Sequence, residues 1–92
     1  MAIRVLIPVV LAKLTKDQSE VQGTGSTIRE IIDNMNREYP GIKGRLFEGE
    51  KFNRRVICFV NEEDVRYLRA EETPVKDGDV ISIIPALSGG AV

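Results

Sequence analysis

One amphipathic stripe sets the terms for everything else in this chain. Ile28, Ile31, Ile32, Met35 and Tyr39 fall at i, i+3, i+4, i+7 and i+11, which gathers them on one face of a helix. Arg29, Asp33, Asn34, Asn36 and Arg37 take the opposite, watered face. Thr27 and Glu30 stand in capping-box spacing at the start. The Thr27 hydroxyl is placed to accept from the Glu30 amide, and the Glu30 carboxylate to reach back to the Thr27 amide. Pro40 disfavours helical geometry at Tyr39 and Gly41 follows, so the helix stops there. In a single domain of 92 residues, a helix of this kind must bury its stripe against whatever strands the chain supplies.

Those strands are legible. Residues 3–11, 56–60 and 80–84 are β-branched, largely apolar runs. Pro8 cannot donate to a ladder, so the first run needs a bulge or a free edge there. Residues 15–19 read as a turn and 19–22 as a returning strand, which makes the opening a hairpin. Residues 42–47 read as a helical turn or an irregular connection carrying Leu46 and Phe47 inward. Asn61 caps a turn over 61–64, and 65–67 read as a short edge piece. In the turn at 76–79, Gly78 takes positive φ. Hairpin, helix, strand, small strand and final strand give an α+β domain, one main helix across a mixed sheet. The first and last strands are the most apolar and belong in its middle.

Composition removes several kinds of function. Thirteen basic against fourteen acidic residues leave a net charge of −1, with no basic excess for nucleic acid. No apolar run approaches the roughly 20 residues that span a bilayer. Residues 1–12 have the outline of a signal peptide, but no small-x-small site follows and Lys13 and Lys16 come at once, so a first strand is the better reading. Cys58 is the single cysteine, which fits a reducing cytoplasm. It alternates with Val56 and Val60 as a core residue, with no base beside it to make a nucleophile. Histidine is absent, which removes the commonest general base and metal ligand and leaves no ordinary zinc site. There is no phosphate loop and no GxSxG turn. The chain is expected to be no enzyme and to bind no cofactor of its own.

Function then points to the end of the chain. Residues 1–86 read as the domain and 87–92 as a flexible tail, Leu87-Ser88-Gly89-Gly90-Ala91-Val92. Two glycines remove every Cβ and free the backbone. A frayed terminus explains them; so does a backbone built to thread a narrow channel in another protein. Four residues beyond Ala86 reach roughly 13–14 Å when extended. Leu87, between strand and glycines, either anchors a partner or packs back on its own sheet.

The final strand, Asp77-Gly78-Asp79, Pro85-Ala86 and Gly89-Gly90 resemble the end of the ThiS/MoaD family of ubiquitin-like, β-grasp sulfur carriers. Thr27-Ile-Arg-Glu30, Tyr39-Pro-Gly-Ile42 and Val60-Asn-Glu-Glu-Asp-Val-Arg66 carry the resemblance upstream, and it looks closest to the CysO branch, the carriers for cysteine synthesis. It implies a β-grasp sheet of four to five strands and a thiocarboxylate at Gly90. It also implies three partners: a ubiquitin-activating-like adenylyltransferase using ATP, a pyridoxal-phosphate cysteine synthase as acceptor, and a zinc JAMM-type metallopeptidase. Those cofactors would belong to the partners, with no metal held by this chain.

Active family members end at the second glycine, whereas here Ala91-Val92 follow it. The resemblance therefore implies cleavage between Gly90 and Ala91 before Gly90 can be adenylated; a carrier inactive in this form and added cloning residues are the plain alternatives. Leu87, Ser88, Gly89 and Gly90 are the tail a partner would grip. Arg66 pairs with a neighbouring acid or assists docking. Carriers for molybdopterin or thiamine synthesis, a ubiquitin-like modifier conjugated through Gly90, and a β-grasp module with an idle tail remain alongside.

Overall fold

The computed structural model describes residues 3–86. In chain order they form β1 (Ile3–Leu6), a 3-10 helix (Val9–Thr15), β2 (Glu20–Gly23), α1 (Ile28–Glu38), α2 (Ile42–Leu46), β3 (Phe47–Glu48), β4 (Lys51–Phe52), β5 (Val56–Val60), β6 (Glu63–Asp64), 3-10 turns at Val65–Tyr67 and Ala70–Glu72, and β7 (Val80–Pro85). The main sheet has the order β2-β1-β7-β5-β6, and β3-β4 is a separate two-stranded pair. β1 runs parallel to β7, and the other pairs in the sheet are antiparallel. The sheet is thus mixed, with β7 in its middle and β1 beside it, as their apolar content anticipates.

α1 lies across one face. Ile28, Ile31 and Ile32 are fully buried, and each contributes about 1.5–3 kcal/mol relative to an exposed side chain. They meet Val5, Val21, Cys58, Val60, Ile81 and Ile83 in one core. Thr27 caps the helix through its hydroxyl, 3.2 Å from the Glu30 amide nitrogen. The other arm of the box lands one residue earlier than the spacing suggests: the Glu30 carboxylate accepts from the Ser26 amide at 2.8 Å and the Ser26 hydroxyl at 2.9 Å. These bonds hold Glu30 below the usual carboxylate range.

The structure corrects two strand readings. β1 stops at Leu6, and Val9–Thr15 winds into a 3-10 helix that leaves Val9 and Val10 outside. Pro8 has no amide to continue the ladder, so the apolar pattern beyond it is spent on a helical turn. The edge strand after β5 is Glu63–Asp64, while Val65–Tyr67 is a 3-10 turn capped by Asp64. Asn61 and Glu62 both adopt left-handed geometry, with φ of 51° and 77°, so the β5–β6 connection closes in two residues.

Asp79, at the mouth of β7, ties this turn down. Its carboxylate accepts from Asn61 Nδ2 and from the Lys76 amide, both at 2.9 Å. Asn61 Oδ1 in turn accepts from the Val80 amide at 2.9 Å. Gly78, in the turn before it, has φ of 93°.

Candidate functional site

Leu87, Ser88, Gly89, Gly90 and Ala91, the residues the sequence singled out, lie outside the described residues. What the structure builds is the platform they leave from. β7 runs between β1 and β5; its first residues pair with both strands, and its last, Ile83 to Pro85, are held by β5 alone. Pro85 sits opposite Val56 in the ladder. Beyond it, the Ala86 amide donates to the Arg55 carbonyl at 2.8 Å. That bond is the final described tie on the root of the tail.

Register fixes which side chains surround that root. On the sheet face opposite α1, β5 and β7 pair Ile57 with Ile84 and Phe59 with Ser82, and Leu6 of β1 lies beside Ser82. Ile84 is 43% exposed, and Leu6, Ile57 and Phe59 are half-buried. An uncovered sheet face carrying four apolar side chains across three adjacent strands is unusual for a face turned only to water. From sequence these strands read simply as apolar runs. The alternation Ile81-Ser82-Ile83 was the available sign that one face was left open.

Arg66 stands near the same root. It and Ala86 line one depression of about 400 Å³. Its guanidinium grips Asp64 through Nε, at 3.1 and 3.0 Å, and Nη2, at 2.6 Å. The pairing holds the Asp64 carboxyl below the usual range and raises Arg66. Of the two sequence readings for Arg66, the intramolecular pair is therefore present, and its exposed side chain still borders the tail's exit.

Chemistry inside the domain is sparse. Cys58 is 2% exposed, and burial pushes its thiol up to about 12, so it is held as an inert thiol. Among the described residues no cluster of His, Cys, Asp and Glu could hold a metal ion, and no helix is long and apolar enough to cross a membrane.

The model of a family described as the ThiS family matches residues 5–90, a span that includes Gly89 and Gly90. The sulfur carrier protein CysO of Mycobacterium tuberculosis (strain ATCC 25618 / H37Rv) is 37% identical over 93 residues, covering 98% of this chain and 100% of that one. Among solved structures, one described as an Amycolatopsis orientalis BexX/CysO complex matches with a TM-score of 0.90 and 42% identity, over 92% of this chain and 96% of that one. Mycobacterium tuberculosis CysO itself matches with a TM-score of 0.88 and 36% identity, over 91% and 98%.

Proposed function

The chain belongs to the ThiS family, and from that premise we propose that it is a sulfur carrier whose working group is the carboxylate of Gly90, supplying sulfur for cysteine synthesis. The observation that carries this reading is its 37% identity to a sulfur carrier protein, CysO, across 98% of the chain. A domain hydrogen-bonded up to Ala86, with an inert thiol and two glycines in its tail, is suited to presenting a chain end to other proteins.

The chemistry follows from the end group. Cleavage between Gly90 and Ala91 by a metallopeptidase frees the Gly90 carboxylate, which is ionised at neutral pH. Held in an adenylyltransferase, that carboxylate attacks the α-phosphorus of ATP; pyrophosphate leaves and an acyl-adenylate forms. Hydrosulfide then attacks the acyl carbon, and AMP departs with the C–O bond electrons. The product is a thiocarboxylate, and a pyridoxal-phosphate cysteine synthase is its acceptor. Leu87, Ser88 and Gly89 thread the tail into these enzymes, while Leu6, Ile57, Phe59 and Ile84 supply a docking face, with Arg66 at its margin. The complex recorded for the Amycolatopsis relative supports a role exercised through assembly with a partner.

Intact mass of the protein purified from its native host tests the reading. It predicts a fraction ending at Gly90 in which one oxygen has been replaced by sulfur. A population that always retains Ala91-Val92 and never carries the extra sulfur would end it.

A further inference from the structure

A second surface, on the other side of the tail's root, is unaccounted for. Pro8, Val10, Leu11, Val56 and Pro85 form the apolar wall of a groove of about 630 Å³, and Ala86 sits on its rim. Val9 and Val10 are 89% and 69% exposed. They are carried on the short 3-10 helix that the chain adopts after Pro8, whose Leu11 turns into the core while Val9 and Val10 stay outside. Of the two, Val10 lines the groove, and exposed apolar side chains gathered at a groove mark an interaction surface more often than a solvated one.

Charge identifies the occupant. Among the described residues, Arg45 and Arg55 both line the groove and no carboxylate does, in a chain whose net charge is −1. Among the described residues neither arginine makes an ion pair, while Arg4, Arg29 and Arg66 each do. Gly44 makes an independent point. It sits inside α2, where glycine is disfavoured, yet a Cβ there would meet nothing within 4 Å. No packing constraint of the free domain requires glycine at this position; its effect is to leave the groove floor open.

We propose that this groove is a docking site for a segment of the activating adenylyltransferase that carries apolar side chains beside a carboxylate, seated between Arg45 and Arg55 while the tail enters the active site. Ala86, the last described residue before the tail, is among the residues lining this groove, so a protein that receives the tail works beside it. The inference rests on the proposed carrier function for the identity of the partner.

Two variants of the chain ending at Gly90 test it with the purified cognate adenylyltransferase, by titration calorimetry and by ATP–pyrophosphate exchange. Gly44→Leu fills the groove from a position with open space around it, and melting curves check that the fold is kept. Arg45→Glu with Arg55→Glu reverses its charge. Each is expected to weaken binding and raise KM about tenfold or more, with kcat within about twofold of wild type. The wild-type KM should also rise with salt more steeply than that of the charge-reversed chain. Unchanged KM and affinity in both variants overturn the groove assignment and leave the carrier function standing. A lower KM on charge reversal also overturns it, since residues 87–90 of the chain itself would then be the occupant. Binding that the variants weaken, without any exchange in wild type, upholds the groove and defeats the carrier function. Absence of both in wild type defeats both.

Discussion

Asp79→Ala should be among the most costly single changes outside the apolar core. The carboxylate is buried and accepts two hydrogen bonds at 2.9 Å, one from Asn61 and one from the Lys76 amide. A hydrogen bond to a charged group contributes about 1.5–3 kcal/mol. Asn61 is exposed and its amide can return to water, so that bond counts at the low end, while the partly buried Lys76 amide cannot be rehydrated as easily. The expected loss is about 2–4 kcal/mol, which for a domain of this size lowers Tm by roughly 10–25 °C. The dependence on pH is the sharper signature. The bond from Asn61, then that from Lys76, holds the Asp79 carboxyl below its usual range. A depressed carboxylate contributes stability that is present above its unfolded value, near ~3.9, and is lost as pH falls through the folded one. Urea denaturation of both proteins from pH 7 to pH 3 should show a gap that is full at neutral pH and narrows below about pH 4. A gap under about 1 kcal/mol at pH 7, or one that does not change with pH, would refute the assignment of Asp79 as the anchor of the β5–β6 turn.

Other substitutions probe separate parts of the account. Glu62 is held at φ of 77°, so Glu62→Gly should relieve left-handed strain and stabilise the protein by about 0.5–1 kcal/mol after glycine's unfolded-state entropy is subtracted, seen as a higher melting temperature. A thiol reagent at pH 8 should leave Cys58 unmodified in the folded protein and react with it fully in denaturant, because burial pushes its pKa up to about 12. Ile84→Glu, at a site 43% exposed, should cost the fold less than about 1 kcal/mol yet raise the KM for activation about tenfold, as read by pyrophosphate exchange.

How far the sequence revealed these features depended on whether a feature was local. The α1 stripe and the Thr27 cap were legible because both are spelled out within one helical turn or a few. Gly89-Gly90 stands out in the sequence too, but the pair alone fits a frayed end equally well, and only the family resemblance gives it a functional reading. The first strand was drawn too long because Val9, Val10 and Leu11 have β propensity, and only the loss of a donor at Pro8 diverts them into the 3-10 helix. The β3-β4 pairing of two residues each is too short to leave a pattern. The Asn61–Asp79 contact joins residues 18 positions apart, and nothing in either segment announces the other. The open sheet face showed only in the Ile81-Ser82-Ile83 alternation, and the groove not at all. Apolar residues in a strand do not disclose which face the helix leaves uncovered.

Reconstituted sulfur loading tests the central claim most directly. The chain ending at Gly90, the full chain ending at Val92, and a chain ending at Gly89 would each be incubated with the activating enzyme, ATP and sulfide, then weighed intact. The account predicts a mass gain equal to exchange of one oxygen for one sulfur in the Gly90-ending chain alone. Equal loading of the chain that retains Ala91-Val92, or no loading of the Gly90-ending chain while the enzyme charges another carrier, would contradict it.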